Sequence, residues 1–434
     1  MAEILIASMQ PVGHFGPLLN VAEGLVDRGD RVTFLTAAEH AGRIADIGAR
    51  PRALPAAATF DVTRLDSDLP GRAETSGIKR VNFDIQQVFL SPMRHQTAAL
   101  TELMKETRFD AILVDAGFFG IVPFLLDDPA GRPPVLMYST TPLMLSSCDT
   151  APFGLGLPPT STGLGRLRNR ALNVLSQKVL LRASQQSANR LLAQLNAPKL
   201  PVFVLDAAVL AERYIAPTVP EFDYPRSDLP ANVRYVGAVH PAPSHSFRPP
   251  PWWAELDGDR PVVHVTQGTV DNADLSRLLE PTIEALGGED VIVVATTGGR
   301  DLSRLHTAVP SNTYVAEYIP HSELLPKVDV MVTNGGFGAV QRALSSGIPL
   351  VVAGNTEDKP EVAARVAWTG AGIDLKTGTP TAGQVRRAVR DILDHDRYLG
   401  RARELESAYA RRDGVAEIAA LVDEVIASRL PAPR

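Results

Sequence analysis

Two places in this 434-residue chain combine residue types and spacing that can do chemistry. The first is Val332-Thr333-Asn334-Gly335-Gly336-Phe337-Gly338-Ala339-Val340-Gln341. It follows an apolar run at 328–332 that reads as a strand and precedes a helical pattern at 339–346. Glycines at such a junction let backbone approach a ligand closely. The helix start behind them offers N–H groups without intrahelical partners and the positive end of a dipole, which together seat a phosphate or diphosphate. Further on, after the strand-like Pro349-Leu350-Val351-Val352, comes the polar cluster Glu357-Asp358-Lys359-Pro360-Glu361. An anion seat beside acidic side chains suits a ligand carrying both phosphates and sugar hydroxyls. The second place is Gly13-His14-Phe15-Gly16-Pro17, directly after a strand-like run at 4–8. Ligands of parallel α/β sheets sit beyond the carboxyl ends of the strands, and an imidazole there can take a proton near neutral pH. The plain alternative is a loop histidine bonded to backbone. Asp115 ends the apolar run Ala111-Ile112-Leu113-Val114. An aspartate so placed can hold an imidazole in one tautomer, or simply cap a turn or helix.

Positioning these residues requires strands that alternate with helices. Strand patterns recur at 4–8, 31–36 and 111–114, and again at 262–265, 291–295, 313–316, 328–332 and 350–353, with a helical spacing of apolar residues at 17–27 between the first two. Alternation of this kind implies parallel sheets with helices on both faces. Prolines crowd residues 216–261, so the expected division is a first domain at 1–217, a proline-rich linker at 218–260, a second domain at 261–415 and a final helical segment at 416–434. Residues 55–85 and 142–165 read as long loops, 166–196 as a long helix broken in two, and 383–428 as almost all helix.

Composition narrows the function. The net charge of −6 argues against a general nucleic-acid binder. One cysteine, Cys148, leaves no intramolecular disulfide framework and no cysteine-rich metal site. No basic, cleavable leader is recognisable at the N-terminus, and no apolar run reaches the ~18 residues that a transmembrane helix needs; a cytoplasmic protein is expected. Asp-x-Asp occurs at Asp66/Asp68, Asp257/Asp259 and Asp394/Asp396, each read as a solvated loop rather than a metal site. Gly13 and Gly16 do not complete a nicotinamide fingerprint. Arg166, Arg168 and Arg170 are read as a solvated helix face, with weak peripheral membrane contact or an acidic acceptor as the alternative.

The order Tyr318-Ile319-Pro320-His321, Thr333-Asn334-Gly335-Gly336, Gly347-Ile348-Pro349 and Asp358-Lys359-Pro360 resembles the donor-binding region of inverting family 1 glycosyltransferases, the bacterial macrolide and antibiotic enzymes and the UDP-sugar enzymes among them. The resemblance extends to the N-terminus. It implies the GT-B fold, two Rossmann-like domains facing across a cleft, with the last helix returning to the first domain. It implies that His14, three residues before Pro17, is the general base and that Asp115 is its partner. Gly268 and Thr269 then contact donor phosphate, Tyr318 stacks on the base and His321 meets the ribose, although a buried structural Tyr318 reads equally well. Gly335, Gly336, Phe337 and Gly338 cradle the diphosphate, and Asp358 contacts sugar hydroxyls. Two positions depart from the pattern: Asn334 stands where relatives commonly have histidine, and Lys359 where they have glutamine. Asn334 can donate a hydrogen bond without charge; Lys359 can face phosphate or pair with Glu357 or Glu361. The implied reaction is a single displacement from a UDP- or TDP-sugar to a hydroxyl of a hydrophobic small molecule, with no metal or other cofactor. A sugar-nucleotide epimerase and a non-catalytic helper protein of the same fold are the competing readings.

Overall fold

The computed structural model describes residues 1–61, 64–240, 247–269 and 271–429. Two all-parallel sheets organise it. The first runs β3-β2-β1-β4-β5-β6-β7 and the second β10-β9-β8-β11-β12-β13. The strands of the first are β1 Glu3–Ala7, β2 Arg31–Thr36, β3 Arg50–Ala53, β4 Ala111–Asp115, β5 Val135–Tyr138, β6 Arg213–Ala216 and β7 Val233–Tyr235. Those of the second are β8 Val262–Thr266, β9 Ile292–Thr296, β10 Thr313–Ala316, β11 Val330–Thr333, β12 Leu350–Val352 and β13 Gly372–Asp374. Five helices matter below: α1 Val12–Asp27, α2 Phe337–Ser345, α3 Lys359–Thr369, α4 Asp396–Ala410 and α5 Gly414–Ala427.

Strand periodicity explains why both sheets are covered on both faces. In β1, Leu5 and Ala7 join a core with Ile112, Val114 and Met137, whereas Ile4 and Ile6 join an opposite core with Leu113, Leu136 and Phe15. Val263 and Val265 of β8 likewise face one core and Val262 the other. Alternate side chains leave opposite faces of a strand, so an unbroken apolar run can be buried only between two helical layers.

Each sheet reverses its strand order next to its first strand, at β1/β4 and at β8/β11. There the connecting chains leave in opposite directions and open a crevice at the carboxyl edge. Within the region expected as a linker, β7 pairs with β6 through Tyr214↔Val233 and Ala216↔Tyr235, so this proline-rich stretch supplies the first sheet's edge strand. Prolines flank the strand without interrupting it, which their composition alone does not reveal. The expected loop at 55–85 also contains helices, Leu65–Asp68 and Gly77–Asp84, so Asp66 and Asp68 sit in a short helix, where Asp66 accepts from Arg72 and Arg80.

Helix α5 packs on the first sheet's helices: Ile418, Val422 and Val425 share a core with Phe15 and Leu18, and Arg28 bonds Asp423 at 3.0 Å. A second tie is polar. Arg365 of α3 is buried, bonds Asp223 at 2.9 Å and Glu361 at 2.9 Å, and lies 4.0 Å over the Tyr224 ring.

Candidate active site

His14 lies in the first turn of α1, not in a loop. The helix starts because the Pro11 carbonyl accepts from both His14 and Phe15, at 2.8 and 2.9 Å. Phe15 is buried and stacks on His40 with ring centroids 3.9 Å apart; this anchors the turn and presents the adjacent imidazole elsewhere. The His14 Nδ1 is 2.7 Å from Asp115 Oδ2, and Thr140 Oγ1 is 3.2 Å from the same nitrogen. Asp115 is fully buried at the end of β4, where the amides of Met9 and Gly117 donate to its two oxygens. A carboxylate fixed in this way accepts the Nδ1 proton and leaves the lone pair on Nε2. Burial alone would lower the His14 pKa. Attraction and hydrogen bonding to Asp115 outweigh it, Asp358 and Glu357 of the second half add to the pull, and the imidazole ends above its ordinary 6.5.

The second half of the site lies on the carboxyl edge of β8, β11 and β12. Gly335 turns with φ +87°, and a Cβ there would meet Val352 Cγ1 at 2.8 Å. Gly336 caps α2, whose first turn contains Phe337 and Gly338, so these residues are helical rather than part of the preceding loop. The amides opening a helix have no intrahelical acceptors. Gly268 follows β8 with φ +71°, and Thr269 beside it is exposed. Asn334 is buried and its amide donates to the Gln267 carbonyl at 2.6 Å. That bond ties the end of β11 to the end of β8 and engages one of the two amide N–H groups, leaving the other for the expected contact with an anion. Gly354 brings β12 to the same point, since a Cβ there would sit 1.9 Å from the Asn334 carbonyl oxygen.

Lys359 is also committed. Its ammonium pairs with Glu357, lies 3.3 Å from Asp271 and bonds Thr356 at 3.1 Å. Of the two carboxylates expected to pair with it, the structure chooses Glu357 and adds Asp271. Glu361 turns instead to the first half, accepting from the Gly154 and Gly156 amides at 2.8 Å each. Burial pushes the Asp358 pKa up to about 6, against the pull of Lys359. Tyr318 is 62% exposed, which removes the buried reading and leaves its ring open to stacking. His321 is half-buried at the start of a short helix, its ring 5.5 Å from that of His264. Burial, together with His264 and Arg342, lowers its pKa to about 3, so it is neutral.

Sequence reasoning missed Thr140, Asp271, Phe89 and Arg342. A Cβ on Gly117 would lie 3.3 Å from Phe89 and 3.4 Å from His14, so Phe89 makes an apolar wall beside the imidazole. Arg342 is half-buried on α2 and makes no hydrogen bond or ion pair among the described residues; it lies near Tyr318 and Tyr138 of the first half. Its place in the helix that follows the glycines was the available signal. Cys148, Asp149 and Asp228 bring potential metal-ligand atoms within 4.8 Å of one another, but both carboxylates already accept hydrogen bonds, Asp149 from Ser227 and Asp228 from Ser147 and the Cys148 amide.

Two Rossmann-like sheets, with chemistry-bearing residues of both brought to one cleft at their switch points, define the GT-B class. The solved structure of the kitacinnamycin glycotransferase has this fold, with a TM-score of 0.75, 22% identity and coverage of 98% of this chain and 99% of that one. The family described as erythromycin biosynthesis protein CIII-like, C-terminal domain, matches residues 280–425. The 4'-demethylrebeccamycin synthase of Lentzea aerocolonigenes is 41% identical over 98% of this chain and its own full length. UDP-glycosyltransferase 2 of Phaeomoniella chlamydospora is 36% identical over 98% of this chain and 96% of its own. The chain belongs to this family of glycosyltransferases and is an enzyme that uses a nucleotide-sugar donor.

Proposed function

We propose that the enzyme moves a sugar from a UDP- or TDP-sugar to a hydroxyl of a hydrophobic small molecule, with inversion and with His14 as general base. The observation that carries this reading is the His14–Asp115 pair at 2.7 Å, facing Asp358 and Glu357 across the cleft. An acceptor hydroxyl between Nε2 and the anomeric carbon loses its proton to His14 as it attacks. Asp115 stabilises the imidazolium that forms. Charge developing on the departing diphosphate falls to the amides of the Gly335–Gly338 turn and the α2 dipole. Attack from the side opposite departure inverts the anomeric centre. The Phe89 wall beside His14 supports an apolar acceptor, and the tie from Glu361 to Gly154 and Gly156 supports a closed cleft that excludes water.

No step in this scheme calls for a metal or another cofactor, and a cytoplasmic setting suits the single cysteine. Calorimetric titration with UDP, TDP and NAD, without added metal, tests the donor site: UDP or TDP should bind and NAD should not. Proton NMR of the glycoside formed from an α-linked donor should then show a β-linkage. A retained anomeric configuration, or turnover undiminished in His14→Ala, would overturn the mechanism.

A further inference from the structure

The helix Gly163–Leu175 and the π-helical turn Ser176–Leu180 that continues it are turned inside out. Their polar stripe faces the protein. Asn169 is fully buried and donates to the Cys148 carbonyl, Asn173 donates to the carbonyls of Ser147 and Thr150, and Gln177 donates to Ser146 Oγ. These residues recur every fourth position, so the opposite stripe must point outward. It is apolar: Leu164, Leu167, Val174 and Val179 are 83%, 63%, 59% and 64% exposed. Ile78 and Val81 are exposed on the neighbouring helix Gly77–Asp84, which meets this element where Asn82 donates to the Leu180 carbonyl at 2.6 Å. The inward amides are satisfied by these hydrogen bonds, but leaving the leucines and valines in water forgoes the free energy of burial unless something covers the apolar stripe.

Charge identifies the cover. Residues 150–205 hold seven lysines and arginines and no acidic residue, in a protein whose net charge is −6. Arg168, Arg170, Lys178 and Arg182 are exposed among the apolar side chains. A two-fold pairing with a second copy would set this cationic segment against itself. Leucine and valine flanked by cations instead match the boundary between anionic headgroups and acyl chains, where amphipathic helices lie in the plane of the interface.

We infer that this face docks the enzyme reversibly on an anionic lipid surface. The inference is independent of the sugar-transfer reading, because it rests on a face that includes none of the residues given a part in catalysis or donor binding. The full-length protein is sedimented with vesicles of phosphatidylcholine alone and of phosphatidylcholine mixed with phosphatidylglycerol, with UDP and TDP binding measured in parallel as a check of the fold. It should pellet with the mixed vesicles, stay in solution with the neutral ones and be released by high salt. Each of Arg170→Gln, Lys178→Gln and Arg182→Gln should weaken partition about fivefold. The triple variant Leu167→Ser/Val174→Ser/Val179→Ser should abolish it and leave nucleotide binding unchanged, because these side chains touch solvent. Folded protein that ignores both vesicle types, or partition indifferent to these substitutions, overturns the inference. So does a dimer in light scattering that the triple serine variant dissolves while vesicles are ignored, which would give the face to a second copy.

Discussion

At the residue scale, the proposed mechanism turns on a histidine that must be neutral to accept a proton and on an aspartate that favours its charged form. Replacing His14 by alanine should lower kcat by about a hundredfold to ten-thousandfold, the usual worth of general-base catalysis, while UDP or TDP binding is retained. The pH profile carries a sign. Because His14 titrates above 6.5 in the folded protein, activity should fall as pH drops through that raised value. Asp115→Asn removes the charge that raises it, leaving burial to lower it, so the acid limb of kcat/KM should move to lower pH even as kcat declines. A limb that stays put in Asp115→Asn would mean that another group titrates. Asn334 is informative in a different way. Asn334→Ala leaves the buried Gln267 carbonyl without its donor, a loss of about 1–3 kcal/mol, and thermal unfolding should register it with no nucleotide present.

Elements decide whether these residues meet. His14 was legible as a candidate base because of its type and its place after the first strand, but α1 captures it in its first turn, beginning at Val12, five residues before the apolar spacing at 17–27, because Gly13 and Gly16 carry no hydrophobic signal. In the same way the second helical pattern begins at Phe337, earlier than its apolar spacing announces, because glycines carry no hydrophobic signal. The two glycines around Phe337 should respond oppositely to alanine. At Gly335 the backbone has φ +87° and Val352 stands where a Cβ would go, so Gly335→Ala should cost at least about 1–2 kcal/mol for the left-handed conformation and weaken donor binding by displacing the turn. At Gly338 a Cβ meets nothing within 4 Å, so Gly338→Ala should keep or slightly raise the melting temperature through helix propensity. Calorimetry on both variants, with and without UDP, separates loss of fold from loss of the anion seat.

Across the whole molecule, the proposed transfer draws on residues of both sheets, which the packing of α5 and a buried ion-pair cluster join. Arg365 is buried between Asp223 and Glu361. Arg365→Met should destabilise the protein by about 3–5 kcal/mol, the cost of stranding buried carboxylates, toward the lower end because Arg226 still pairs with Asp223. Glu361→Ala is gentler. It frees the Gly154 and Gly156 amides and should loosen the cleft, with kcat falling more than nucleotide affinity and small-angle scattering reporting a larger radius of gyration. Unchanged scattering would assign Glu361 a local role only.

The sequence by itself determined the α/β class, most central strands, the helical tail and the glycine turn, because burial between two helical layers imposes uninterrupted apolar runs and because a backbone that must turn sharply into a helix leaves a chemical trace in residue type. It was silent on the short edge strands β3, β7 and β13, whose three or four residues carry too little pattern, and β7 was further hidden by its prolines. Only the tertiary structure decided the partners. Lys359 chose Glu357 and Asp271, Asn334 turned to the Gln267 carbonyl just past β8, Glu361 reached across to Gly154 and Gly156, and the helix at 163–180 put its amides inside and its leucines outside. Each choice depends on which groups, distant in sequence, end up within hydrogen-bond reach, and that proximity is created by the switch points of two sheets and by the return of α5, not by the spacing of residues along the chain.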